Sequence, residues 1–353
     1  MAASITRPSI IESIPLPRFI VWDITYACPL RCEHCYSESG RRRSKQLDIE
    51  DMLKVTDAML EVQPQGIVLS GGEPLALKEI FQVARRIREA GTDVILYTSG
   101  SAFEAGMLED LMQWCSRITV SIDGATAATH DRIRGRAGAF DKAINMLNVL
   151  DARCAQERSM PCPKLSIDYV VMQSNFDQLH TFCREIVSRF SGLSYVSFSA
   201  VIPTGLASRI SFAEQELLDD KQMALLASGQ LEEELQPLVD PSVTIFTGDN
   251  KMFQLHPGLI EKGMDIPPIQ VEPDGNARAM PIYEGVVGSL LEEPMSVLWQ
   301  RAIERWSHPV VVEALLPATT SLLWAEATRK IDMFFGTPAD KERIAARPSY
   351  IRK

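Results

Sequence analysis

The sequence predicts an α/β fold organised around a parallel sheet. Two observations carry that expectation. From residue 19 to about 205, six short runs rich in β-branched and aromatic residues alternate with longer amphipathic stretches. In those stretches the apolar residues recur at spacings close to 3 and 4, the helical period. Strands each trailed by a helical segment imply right-handed βαβ units, and so a sheet that is either a doubly wound layer or an open or closed barrel. In both, ligands gather at the C-terminal ends of the strands.

The strand candidates are FIVWDIT (19–25), GIVLSGG (66–72), DVILYTSG (93–100), RITVSIDG (117–124), LSIDYVVM (165–172) and YVSFSAVI (195–202). Helices are expected near 48–61, 76–90, 103–114, 139–154 and 176–190. Beyond Gly205 the rhythm breaks. Residues 211–238 are acidic and read as helical, PSVTIF as a strand and SVLWQRAIERW as an amphipathic helix, with Pro and Gly punctuating 257–288. The expected organisation is therefore an N-terminal segment (1–18), a core (19–210), a largely helical connector (211–265) and a smaller C-terminal region (266–353).

With 353 residues, 46% of them hydrophobic, the chain can bury a sizeable core. Its net charge of -10 argues against general nucleic-acid binding, which needs clustered positive charge. The one dense basic run, Arg41 to Arg43 with Lys45, reads as a solvated loop. The start offers no basic head followed by an apolar stretch, and no segment approaches the apolar length of a membrane span. A cytoplasmic protein with no membrane partner is expected. In a reducing compartment seven cysteines, an odd number, point to metal ligands and buried thiols rather than a disulfide framework.

Three of those seven, Cys28, Cys32 and Cys35, stand in the spacing C-x3-C-x2-C directly after the first strand. A loop can fold three thiolates around one inorganic cluster, whereas a helix would turn one of them away. Zinc is the first rival, but structural zinc favours four ligands in paired C-x2-C knuckles, and no second knuckle exists. His34 is a conceivable fourth ligand. Three ligands on a four-iron cluster leave one iron open for a substrate or cosubstrate.

This spacing resembles that of radical S-adenosylmethionine (SAM) enzymes, and the likeness extends over residues 19 to about 205. It implies a partial (β/α)6 TIM-like barrel, one 4Fe-4S cluster on Cys28, Cys32 and Cys35, and SAM on the open iron, cleaved by one electron to a radical that abstracts hydrogen. An external one-electron reductant of flavodoxin or ferredoxin type is implied with it. SGGEP (70–74) matches the superfamily's GGE motif: Gly71 and Gly72 let backbone approach the ligand, and Glu73 is expected to hold the SAM amino group. Ser99 in YTSG and Ser121 in SIDG are the matching ribose or carboxylate contacts, while Asp123 either joins them or caps the turn. Arg134, in DRIRGRAGAFDKA, matches an arginine that pairs with the SAM carboxylate, the other reading being a helix-flanking salt bridge. Tyr36 is expected near the adenine, and Asn175 within reach of SAM.

Residues 271–299 resemble the opening of a SPASM or twitch extension, but Ala279 and Met280 stand where a cysteine is normally found and Cys183 is the last cysteine. The resemblance thus implies a degenerate α+β extension without an auxiliary cluster, serving as a lid or substrate wall. The chemistry expected is decarboxylation, epimerisation, elimination or rearrangement of a small biosynthetic metabolite, with a ribosomal peptide as the other substrate class and a non-catalytic metal-binding module as a remote reading. Polar residues in otherwise apolar strands, Asp23, Thr25, Asp168, Ser197 and Ser199, are the candidate substrate contacts. Cys115, Cys154, Cys162 and Cys183 are read as structural, with a hydrogen-donor role open to any one of them.

Overall fold

The computed structural model of the chain describes residues 14–42, 44–156, 162–263 and 266–352. All six expected strands form: β1 Phe19–Thr25, β2 Gly66–Gly71, β3 Asp93–Thr98, β4 Arg117–Ser121, β5 Lys164–Val171 and β6 Leu193–Ala200. They pair in sequence order and in parallel. PSVTIF supplies β7, Thr244–Gly248, which continues the parallel run beside β6.

The strands alternate for a physical reason. Ile20, Trp22 and Ile24 on β1, Ile67 and Leu69 on β2, and Ile118 and Val120 on β4 are fully buried in the core against the helices. The opposite parity, which includes Ser70, Tyr97, Ser121, Asp168, Ser197 and Ser199, faces the concave interior and lines cavities. A parallel sheet buried on both faces reads as a continuous apolar run. Period-two polarity here marks a hollow interior.

The covering helices are α1 Ile49–Leu60, α2 Ile80–Glu89, α3 Leu108–Trp114, α4 Ala127–Arg134, α5 Ala139–Gln156 and α6 Leu179–Glu185. Asp48 caps α1 by accepting from Asp51 N at 3.0 Å, which fixes its start. Helices α2 and α3 begin later than expected, and α6 both begins later and ends earlier, because short 3-10 turns at Pro74–Ala76, Ala105–Met107, Phe176–Gln178 and Val187–Arg189 occupy the flanks. The sequence does not reveal α4, only eight residues long and rich in charge, capped by Thr126 and closed by Gly135 at φ +65°.

The acidic stretch forms α7 Ile210–Glu216, α8 Asp220–Ala227 and α9 Gln230–Leu235, followed by the short α10 Pro257–Ile260. The C-terminal region contributes β8 Ile269–Val271, β9 Asn276–Arg278 and β10 Val286–Ser289, then α11 Met295–Trp306, α12 Pro309–Leu315, α13 Ser321–Phe335 and α14 Pro338–Ala345. Strand β8 runs parallel to β1 on its free edge, and β9 and β10 follow antiparallel. One ten-stranded sheet results, in the order β10-β9-β8-β1-β2-β3-β4-β5-β6-β7. Its apolar core runs without a break from Ile20 and Trp22 to Trp299 and Trp306. No helix among the described residues is long and apolar enough to cross a membrane.

Candidate functional site

The loop after β1 carries the three cysteines, and their side chains line one cavity of about 170 Å³ at the C-terminal ends of the strands. Burial pushes the thiols of Cys28 and Cys32 up to about 11 and about 12, so a cationic metal centre is what would hold them as thiolates. Among the described residues no three His, Cys, Asp or Glu side chains are placed to hold a single metal ion. All three thiols line one cavity, a donor set that suits a four-iron cluster with one open iron. Behind Cys35 a hydroxyl relay begins, with Cys35 Sγ 3.5 Å from Ser37 Oγ and Ser37 Oγ 2.7 Å from Ser39 Oγ. The loop rests on the turn after β6, where Leu206 N donates to Cys35 O (3.0 Å) and Gly205, at φ +53°, meets the Tyr36 carbonyl so closely that a Cβ would lie 2.1 Å from it.

Gly71 and Gly72 line the same cavity. At Gly72 a Cβ would lie 2.2 Å from Ala27 O, so the turn after β2 packs directly on the cysteine loop. Glu73 is fully buried and does not line the cavity. Its Oε1 accepts from Leu75 N (3.2 Å) and Thr98 Oγ1 (2.6 Å), and its Oε2 from the amide (2.9 Å) and hydroxyl of Ser99. Both carboxylate oxygens are thus engaged by the protein. Through Oε2 Glu73 holds Ser99, which does line the cavity.

Arg134 and Ser121 also line it. The Arg134 Nε lies 2.6 Å from Asp123 Oδ2, and its Nη1 reaches 3.9 Å from Cys32 Sγ. Burial opposes ionisation of both partners, but each is held charged by the other. Asp123 therefore neither caps a turn nor faces the cavity. It anchors the arginine, and it accepts from Val170 N at 3.0 Å. His34 packs 3.8 Å from Asp123; burial holds its imidazole neutral, with the pKa down to about 4, and its Nδ1 is buried without a partner among the described residues. Tyr36 lines the cavity and donates to Asp23 Oδ1 at 2.7 Å. Asn175 does not line it: its amide bonds Met172 N, Val170 O and Asp123 O, holding the turn after β5.

A second cavity, of about 450 Å³, adjoins the first inside the sheet. The two share His34, Tyr36, Ser70, Tyr97, Asp168 and Val170 as wall. Ser197 and Ser199, 2.9 Å apart, lie on its far side, and Pro268, Gln270, Pro281 and Ile282 of the C-terminal region close it. Burial pushes the Asp168 carboxyl up to about 7. Of the five candidate substrate contacts, Asp168, Ser197 and Ser199 line this cavity. Asp23 is covered instead, accepting from Gln270 Nε2 at 2.6 Å besides Tyr36, and Thr25 Oγ1 accepts from Ala27 N. Tyr97, Gln270 and Asn250 are cavity residues that the sequence did not single out. Strand parity signals Tyr97; nothing local signals the other two.

Arg42 also departs from expectation. It is largely buried, 3.0 Å from Glu272 and 3.5 Å from Glu284, and stacks over Tyr26. Arg43 lies outside the described residues.

Residues 22–153, which carry the three thiols, the glycine-lined floor and the fixed guanidinium, match the sequence model of the Radical SAM superfamily. That superfamily uses a 4Fe-4S cluster and SAM. The chain is 32% identical over 191 residues to the AdoMet-dependent heme synthase of Methanosarcina barkeri, covering 54% of this chain and 52% of that protein. It is 28% identical over 172 residues to the mycofactocin maturase MftC of Mycolicibacterium smegmatis, covering 48% and 42%. The matches thus span about half the length of these curated relatives. In fold it is similar to Streptococcus suis SuiB, solved bound to S-adenosylmethionine, with a TM-score of 0.60 at 12% identity over 96% of this chain and 76% of that one.

Proposed function

We propose that the protein is a radical SAM enzyme with a single cluster, acting on a small biosynthetic metabolite held in the larger cavity. The observation that carries this reading is the shared wall: the thiol-lined space and the 450 Å³ chamber are contiguous across Tyr36, Ser70, Tyr97 and Asp168. Cys28, Cys32 and Cys35 would hold the cluster, and Tyr36, Gly71, Gly72, Ser99, Ser121 and Arg134 would surround SAM. When bound, these groups supply one-electron cleavage of SAM and hydrogen-atom abstraction from a substrate carbon.

The chain's own residues supply position. Glu73 fixes Ser99, Asp123 fixes Arg134, and Asp23 fixes Tyr36 and Gln270. Asp168, which holds its proton up to about pH 7, can donate a hydrogen bond to a substrate carbonyl or hydroxyl below that pH, with Ser197 and Ser199 as further partners. The apolar walls, Val21, Val68, Val170, Phe253 and Ile282 among them, exclude water from a reactive carbon. Because Cys183 is the last cysteine, no thiolate of the C-terminal region can hold an auxiliary cluster. This favours a net reaction without an internal electron acceptor: decarboxylation, epimerisation, elimination or rearrangement. The second reading, a peptide maturase, is favoured by the likeness to MftC.

Anaerobic reconstitution, iron and sulfide counting, and incubation with SAM and dithionite test the proposal. About four irons per chain and release of 5'-deoxyadenosine are expected. Three irons or fewer without that product would sink the enzyme reading, and roughly eight irons the single-cluster reading.

A further inference from the structure

The outer skin of the cysteine loop is basic in a chain whose net charge is -10. Arg31 Nη1 donates to the carbonyl oxygens of Cys28 (2.9 Å) and Leu30 (2.6 Å). Arg136 Nη1 donates to Pro29 O (3.3 Å), and Arg41 Nη2 to Arg31 O (3.0 Å). Every carbonyl from Cys28 through Arg31, the segment joining the first two thiols, is therefore capped by a guanidinium. All three arginines are exposed, and none makes an ion pair with a carboxylate among the described residues. The nearby acids are neutralised internally: Glu33 by Arg132 at 3.1 Å, and Glu38 by Arg343 and Arg347.

We propose that Arg31, Arg41 and Arg136 form the docking surface for an acidic one-electron carrier protein of flavodoxin or ferredoxin class. The inference rests on the radical SAM reading of the three cysteines and adds to it the place and sign of the partner's contact. Capping the carbonyls fixes the arginine stems while their free edges face solvent, so the positive charge is held over the backbone that joins Cys28 to Cys32. A carrier with acidic residues around its cofactor would be steered to that stretch, because the rest of the chain's surface is net negative and repels it. In the step itself one electron leaves the carrier and enters the cluster, with no bond made and no proton moved.

The test compares the reconstituted parent with an Arg41→Glu/Arg136→Glu double variant and a charge-preserving Arg41→Lys/Arg136→Lys variant. Cluster reduction is followed by stopped-flow absorbance, using either reduced flavodoxin or photoreduced 5-deazariboflavin, a small uncharged donor. Calorimetry gives the affinity for oxidised flavodoxin. Reduction by flavodoxin should slow about tenfold or more in the Glu variant, and in the parent as salt rises from about 0.05 to 0.5 M, with affinity falling in parallel. The Lys variant should stay close to the parent, and deazariboflavin should reduce all three alike. Equal flavodoxin rates in parent and Glu variant, or a Lys variant as slow as the Glu variant, would overturn the inference. So would binding of duplex DNA or anionic vesicles through these arginines with flavodoxin reduction untouched. A parent that no donor reduces would instead overturn the cluster reading beneath it.

Discussion

Asp168 couples the stability of the fold to pH, and Asp168→Asn isolates that coupling. The residue sits at the centre of the concave face, between Ser121 on β4 and Ser197 on β5's other neighbour, and burial followed by the charge of Asp123 lifts its carboxyl from 3.8 to about 7, against the pull of Arg134. A carboxyl with a raised folded-state value holds its proton longer in the folded chain than in the unfolded one. Its contribution is therefore fully present below about pH 4 and is lost as pH climbs through the window up to about 7. The shift of about three units corresponds to about 4 kcal/mol lost across the whole window. Asparagine has nearly the same shape and no charge, so the variant lacks this dependence. Its stability advantage over the parent should widen by about 2 to 3 kcal/mol between about pH 5 and about pH 8. Urea melts of parent and variant, prepared alike, measure that difference, and the other raised acids, Asp23, Glu33, Asp274 and Asp332, drop out because both proteins keep them. If the two proteins differ by the same amount at both pH values, Asp168 titrates normally and its place as a buried acid is wrong.

Three further substitutions probe the scaffold of the site. Gly72→Ala places a methyl group 2.2 Å from Ala27 O, backbone against backbone, and should cost about 3 kcal/mol or more; iron incorporation and a urea melt read the effect, and a normal iron content would contradict the packing. Glu73→Gln turns an amide NH2 towards donors that now find an acceptor, so about 2 to 4 kcal/mol of stability and most SAM affinity should be lost, as a thermal melt and calorimetry would show. Arg278→Met leaves buried Glu272 with Arg42 and Glu284 with Arg42 and Arg343, and should destabilise by up to about 3 kcal/mol in a urea melt, with little change expected if the network were solvated.

The parallel core was legible because its signal is local. Each strand carries its own alternation, each helix its own period, and the three cysteines fall in one eight-residue span. Ser121, Asp168, Ser197 and Ser199, singled out from the sequence, do line the cavities. Strand parity could not say what would cover an inward residue, and so Asp23 and Thr25 read as cavity groups although Tyr36, Gln270 and the loop backbone take their hydrogen bonds. Glu73 and Asn175 illustrate a related limit: a motif names a residue type, while only the structure shows that their polar atoms brace the turns after β2 and β5. Arg42 read as solvated because its partners, Glu272, Glu284 and Asp340, lie more than two hundred residues away.

That long-range network explains how a C-terminal region without cysteines can still order the cysteine loop. Arg42 and Glu38 leave the loop side of the site, while Glu272, Arg278, Glu284, Arg343 and Arg347 arrive from the C-terminal side. Tyr26 joins them, donating to Glu272 Oε1 at 3.0 Å, and Trp22 donates to the Glu272 carbonyl at 3.2 Å. Burial alone would neutralise Glu284, yet Arg278, Arg42 and Arg343 together hold its carboxyl down to about 2. Buried ion pairs are weak sources of net stability, since desolvation offsets most of the attraction, but breaking one is expensive. A network of this kind therefore specifies position more than it adds stability. Strand β8 sets the same register through its pairing with β1, Ile20 opposite Ile269 and Trp22 opposite Val271, so backbone and charge fix the C-terminal wall of the chamber independently. Where an auxiliary cluster would staple such a wall with thiolates, this chain does it with a strand and a set of interlocked arginines and glutamates.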